Sequence, residues 1–147
     1  MRLFELFAKP YTWEKLDDEE YGFETAAGKR YKTLIISESL PIEGLYQRAY
    51  WVEFGLVRFG GYRYKIEKTG DAFNVFATVA AILKHHLATA EPVNYIFFTA
   101  SEPSRMKLYN AFMKLVPKFL PGWEFYKADN DDIDRRYIIK NTSAETD

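Results

Sequence analysis

Three groups of residues in this 147-residue chain have types and spacings that could do chemistry. Arg105 and Tyr109 stand four apart, so on a helix they share a face. There the guanidinium could hold a phosphate or a carboxylate. Arg105 also suits a solvated or ion-paired arginine, and Tyr109, beside Met106 and Leu108, also suits a core ring. Glu53 and Glu67 are carboxylates on neighbouring predicted strands. Either could act as a general base if both reached one cleft, and either could face water. Gly70-Asp71-Ala72 opens a predicted helix, where unbonded N–H groups can receive a phosphate or simply form a turn and N-cap.

Other clusters read as structural. His85 and His86 are adjacent, about 100° apart on a helix, and cannot chelate one ion together, so they read as a surface pair near the helix C-terminus. Asp129-Asn130-Asp131-Asp132-Ile133-Asp134 lacks the central Gly and the closing Glu of a calcium loop, Lys140 standing at the latter position, so it reads as a hairpin turn. Alternation sends the rings of Tyr62 and Tyr64 and the charges of Arg63 and Lys65 to opposite faces, against a stacking platform for nucleic acid. No metal site is expected. With no cysteine, disulfides, thiolate metal sites and a thiol nucleophile are excluded. No nucleophile elbow, Walker loop or dinucleotide fingerprint is present.

The elements that must position these groups follow from periodicity and turn residues. Residues 1–20 read as an irregular or briefly helical arm, its rings Phe4, Phe7, Tyr11 and Trp13 a candidate partner surface. Strands are predicted at 21–25 and 30–37 around Ala27-Gly28-Lys29, with Pro41 and Gly44 breaking into a loop or helical turn over 40–48. A third strand, 50–59, turns at Gly60-Gly61 into a fourth, in which Tyr62, Tyr64 and Ile66 alternate with charge. Ala72, Phe73, Val75, Phe76, Val79, Ile82, Leu83 and Leu87 then recur at helical spacing, predicting a helix over 70–88. The apolar run 93–100 fits a strand buried on both faces. Ser101 and Pro103 open a second helix carrying Met106, Tyr109, Phe112, Met113 and Val116 on one face, stopped by Pro117. A hairpin, 123–127 and 136–140, closes the chain.

Twenty Lys and Arg against twenty-one Asp and Glu leave a net charge of −1, so no global field draws the chain to nucleic acid or an anionic membrane. Aromatic residues make up 18% of the chain, which demands a folded, bulky core. The expected protein is a single domain, 1–147, with an arm (1–20), a core (21–140) and a polar tail (141–147). Its class is α+β, a mostly antiparallel mixed sheet with two main flanking helices.

The order strand, helix, buried strand, helix, closing hairpin resembles the core of the GCN5-related N-acetyltransferase superfamily. That family carries Gln/Arg-x-x-Gly-x-Gly/Ala between its fourth strand and the following helix. Here those positions read Glu67-Lys68-Thr69-Gly70-Asp71-Ala72, with Glu67 departing from the family pattern. The resemblance implies an acyl-CoA N-acyltransferase-like fold and acetyl-CoA as cofactor. Its pyrophosphate would rest on Lys68, Gly70, Asp71 and Ala72 with Arg105 nearby, and an amine would be the acceptor. Tyr109 would protonate the leaving thiolate, and Glu53 is the candidate base. The turn at Ala27-Gly28-Lys29 leaves no room for the family's acceptor-binding helices, unless the first strand lies in the arm. Lys9-Pro10, Thr69-Gly70-Asp71-Ala72-Phe73 and Ser104-Arg105 with Leu108-Tyr109 also resemble small bacteriophage proteins without assigned activity. This second likeness names no activity; the rival expectation is a non-catalytic protein, such as a phage accessory factor, that keeps the fold but binds a protein partner. Either way the chain is expected in the cytoplasm, that of the host if phage-encoded.

Overall fold

The computed structural model describes residues 9–58, 61–62, 71–131 and 134–145. Tight hairpins build the first half. Strands β1 (Trp13–Lys15) and β2 (Glu20–Glu24) pair antiparallel with Trp13 opposite Phe23. The acidic run between them is a turn in which Asp17 Oδ1 accepts the N–H groups of Glu19 and Glu20, both at 2.8 Å. The first strand therefore lies in the arm, correcting the irregular reading of 1–20. Tyr11 and Trp13 are half-buried against the core: Tyr11 stacks on Phe23, and Trp13 packs edge-on against Tyr21. Phe4 and Phe7 lie outside the described residues.

Strand β3 (Arg30–Ile42) follows the predicted turn, where Gly28 takes φ +80°. It pairs antiparallel with β4 (Leu45–Arg58) along its whole length, from Tyr31 opposite Leu56 to Ile42 opposite Leu45. The loop expected over 40–48 is thus a two-residue turn, Glu43 and Gly44, at φ +50° and +84°, the pair of left-handed conformations a tight hairpin needs. Pro41 does not break the strand, because Ile42 opposite Leu45 closes the turn and points its own amide at β4. The Pro41 backbone then faces the edge of β3, which β2 covers only as far as Leu34, so its missing N–H costs no ladder bond.

Strand β5 (Gly61–Tyr62) pairs only the end of β4, Arg58 opposite Gly61. Gly61 is therefore a strand residue; the rest of the predicted fourth strand, with Arg63, Lys65 and Glu67, lies outside the described residues. Helix α1 (Ala72–Thr89) leads to β6 (Tyr95–Ala100), α2 (Pro103–Met113), a single turn α3 (Val116–Phe119), β7 (Trp123–Asn130) and β8 (Arg135–Asn141). The second helix ends at Met113, and Pro117, expected only to stop it, sits in the first turn of α3, where a missing N–H is tolerated. The sheet runs β1-β2-β3-β4-β6-β8-β7, antiparallel except for β4 beside β6. The class is α+β with a mostly antiparallel mixed sheet. None of the described helices is long and apolar enough to cross a membrane.

Alternation divides the sheet into two faces. Tyr31, Ile35, Tyr50, Val52, Phe54, Ile96, Phe98, Tyr137 and Ile139 share the helix-covered core with Val79, Ile82 and Phe112. On the other face Leu40, Ile42, Ala49, Phe97 and Ile138 form a smaller buried cluster. The long β3–β4 hairpin curls over that face, and the Tyr126 hydroxyl of β7 donates to Glu43 Oε1 at its tip (2.9 Å).

His86, predicted to be a surface residue, is buried. Its Nδ1 lies 2.7 Å from the Tyr21 hydroxyl, and its ring meets Tyr50 edge-on. Burial, then Lys15 and His85, pushes its pKa down. The unfolded chain then binds more protons than the folded one below the ordinary histidine pKa. The stability held by neutral His86 is complete above that pKa and lost as pH falls through the depressed value. Denaturant titrations at pH 7 and pH 5 should show a loss at pH 5 that shrinks in His86→Gln.

Candidate functional site

The parallel pairing of β4 with β6 covers only Ala49 opposite Tyr95 to Val52 opposite Phe98. Beyond that point β4 runs on to Arg58, while β6 continues to Ala100, still paired to β8. The two strands thus part at their C-terminal ends, and α2 starts just past the end of β6. Openings at the carboxyl ends of neighbouring parallel strands are where sheets of this kind place ligands.

Three residues picked out from sequence meet there. Arg105, in the first turn of α2, is 8% exposed, and its Nη1 donates to the Phe54 carbonyl and to the Tyr109 hydroxyl, each at 3.1 Å. Its guanidinium carbon stands 5.6 Å from the Phe54 ring centre and 5.8 Å from that of Tyr109. By taking the Phe54 carbonyl, Arg105 stands in for a missing ladder partner. Tyr109 is fully buried among Phe54, Phe98, Phe112 and Tyr137. Burial pushes its pKa up and Glu53 adds to the rise, while Arg105 opposes both. The phenol therefore keeps its proton through neutral pH.

Glu53 reaches the opening from the other face, because it neighbours Phe54 on β4. The Thr99 hydroxyl lies 3.5 Å from Glu53 Oε1 and accepts the Trp51 indole N–H at 3.1 Å. A proton donor on the helix side and a carboxylate on the opposite side thus flank one gap. Trp51, Thr99 and the Phe54 carbonyl were missed from sequence, because only the parallel register brings β4 and β6 together. The buried state of Arg105 was equally hidden, since arginine sits at the surface by default.

The remaining candidates gather at the start of α1. Asp71 is the N-cap residue but makes no side-chain cap; its carboxylate instead accepts the Tyr11 hydroxyl. The preceding segment lies along the helix, with Lys9 N–H donating to Asn74 Oδ1 (3.1 Å) and Tyr11 N–H to Thr78 Oγ1 (2.8 Å). Ala72 is buried in the core. Phe73 packs on Phe112, joining this turn to α2. Lys68 and Gly70 lie outside the described residues. The acidic cluster is a hairpin turn: Asp131 Oδ1 accepts the Asp134 N–H, and Arg136 grips both carboxylate oxygens of Asp129 at 2.8 and 3.1 Å. Among the described residues no three His, Asp or Glu side chains are placed to hold a metal ion.

Fold and opening define an α+β protein built on a mixed sheet, with a buried phenol–guanidinium pair where its parallel strands part. The chain belongs to a family of unknown function (DUF6934), whose model matches residues 9–120. That span runs from the segment along α1 to the end of α3 and includes Glu53, Arg105 and Tyr109. No curated protein and no solved structure matches the chain.

Proposed function

We propose that the protein is an acyl-CoA N-acyltransferase of acetyltransferase-like fold. The observation that carries this reading is the parting of β4 and β6 with Tyr109, Arg105 and Glu53 converging on the gap. Strand, helix, parallel strand, helix and closing hairpin follow one another as in the acetyltransferase core, with β4 in the role of the fourth strand. The acyl thioester would lie in the gap, its pyrophosphate on Lys68, Gly70, Asp71 and Ala72 at the start of α1. The amine nitrogen attacks the thioester carbonyl carbon, a C–N bond forms, and the C–S bond breaks. Tyr109 gives its proton to the departing thiolate, and Glu53 takes the proton lost by the amine.

A second reading, a non-catalytic protein that keeps the fold and binds a protein partner, is favoured by two features. Arg105 already occupies the Phe54 carbonyl in the gap, and Tyr109 is fully buried beneath it. The short turn between β1 and β2 also leaves no acceptor-binding element there. Calorimetry separates the two. Acetyl-CoA should release or absorb heat with the wild-type chain, and Gly70→Trp should abolish that signal. No heat at millimolar cofactor with folded protein eliminates the transferase and leaves the interaction protein.

A further inference from the structure

Arg105 is costly where it stands. It carries a full charge with little solvent, and it forms no ion pair with a described residue. Its Nη2 is fully buried and has no hydrogen-bond partner. Two neutral acceptors and two ring faces compensate the charge only in part. Its place compounds the cost. In the first turn of α2 a cation meets the positive end of the helix dipole. No acidic residue stands in that turn, and the N-cap Glu102 makes no side-chain cap. Guanidinium and helix end thus put positive charge at the carboxyl end of β6, where no described residue forms an ion pair with Arg105.

We propose that Arg105 and the first turn of α2 form a binding site for a carboxylate, carried by the molecule that enters the gap between β4 and β6. The unpartnered Nη2 supplies the donors, and a carboxylate supplies the direct ion pair that Arg105 makes with no described residue. A phosphate fits this end of the gap less well. Glu53, already at the gap, would repel two charges held on one phosphate group more strongly than the one charge of a carboxylate group. If the acyltransferase reading holds, on which this assignment of the substrate rests, the carboxylate belongs either to the acyl chain or to the amine acceptor. The transferase thus takes an acidic substrate.

Ligand-observed NMR on the full chain tests the site without the reaction, using succinate against succinamide and glycine against glycinamide. At least one acid should bind about tenfold more tightly than its amide. That preference should vanish in Arg105→Met and survive in part in Arg105→Lys. A preference for succinate, matched by tighter binding of succinyl-CoA than acetyl-CoA, places the carboxylate on the acyl chain; a preference for glycine places it on the acceptor. Equal binding of acid and amide in both pairs overturns the site, as does a preference unchanged in Arg105→Lys and Arg105→Met. Acetyl-CoA binding without acid preference sinks this inference alone. Acid preference without acetyl-CoA binding sinks the transferase and keeps the site.

Discussion

Tyr109→Phe should lower the rate of acyl transfer by about 10²–10⁴-fold, the range lost when a positioned general acid is removed, with little change in acetyl-CoA affinity. The substitution keeps the ring among Phe54, Phe98, Phe112 and Tyr137 and deletes only the hydroxyl. Arg105 then loses one of its two acceptors. A stability loss of about 1–3 kcal/mol should accompany the kinetic one, because a buried donor is left unmet. The pH profile distinguishes an acid from a merely structural phenol. In the proposed role Tyr109 would act while protonated, and burial raises its pKa, so its limb of the profile should stay flat through the ordinary tyrosine range and fall only above it. A rate unchanged in Tyr109→Phe removes Tyr109 from the chemistry. A rate limb that falls near pH 8 would have to belong to another group.

Phe112→Ala should be among the most damaging single changes to the fold, costing about 3–5 kcal/mol. Phe112 is fully buried and stacks on Phe76 with ring centres 4.0 Å apart, while Phe73 meets it edge-on and Tyr109 lies 6.3 Å away. Held between rings of α1 and α2, a lost Phe112 ring leaves a cavity among Phe73, Phe76 and Tyr109. Against a total of about 5–15 kcal/mol for a domain, this should lower Tm by roughly 10 °C, read by thermal denaturation. Phe112→Leu keeps most of the volume and should cost far less. A small loss in Phe112→Ala would mean that α1 and α2 repack freely. Because Phe112 supports Tyr109 from the following turn, the alanine variant should also loosen the Tyr109–Arg105 contact.

How much of this was legible beforehand depended on the range of the interactions involved. Period 3.6 in Ala72 to Leu87 marked α1, because a helix buries its stripe whatever it packs against. The uncharged run 93–100 marked β6 as central, and the structure buries it between β4 and β8. The i, i+4 spacing of Arg105 and Tyr109 put both on one helix face, and there they are bonded. The arm and the 40–48 segment were misread for a local reason: Pro41, Gly44 and the acidic run carry loop composition. Two-residue turns and an open strand edge accept those same residues.

The amino-acid sequence by itself determined the elements whose signals are local: the two main helices, the buried strand, most hairpin strands, and the presence of an arginine–tyrosine pair on one helix face. Tertiary structure alone decided which of those residues share a site. The parallel register of β4 with β6 joins segments more than forty residues apart, and no periodicity within either strand encodes where that ladder stops. Its end at Val52 and Phe98 opens the gap, turns Arg105 from a presumptive surface cation into a buried one with a free nitrogen, and brings Glu53 to the opposite side of Tyr109. Pairing over that distance is set by the packing of the whole sheet against α1 and α2, a collective balance of buried surface that no short stretch of sequence expresses.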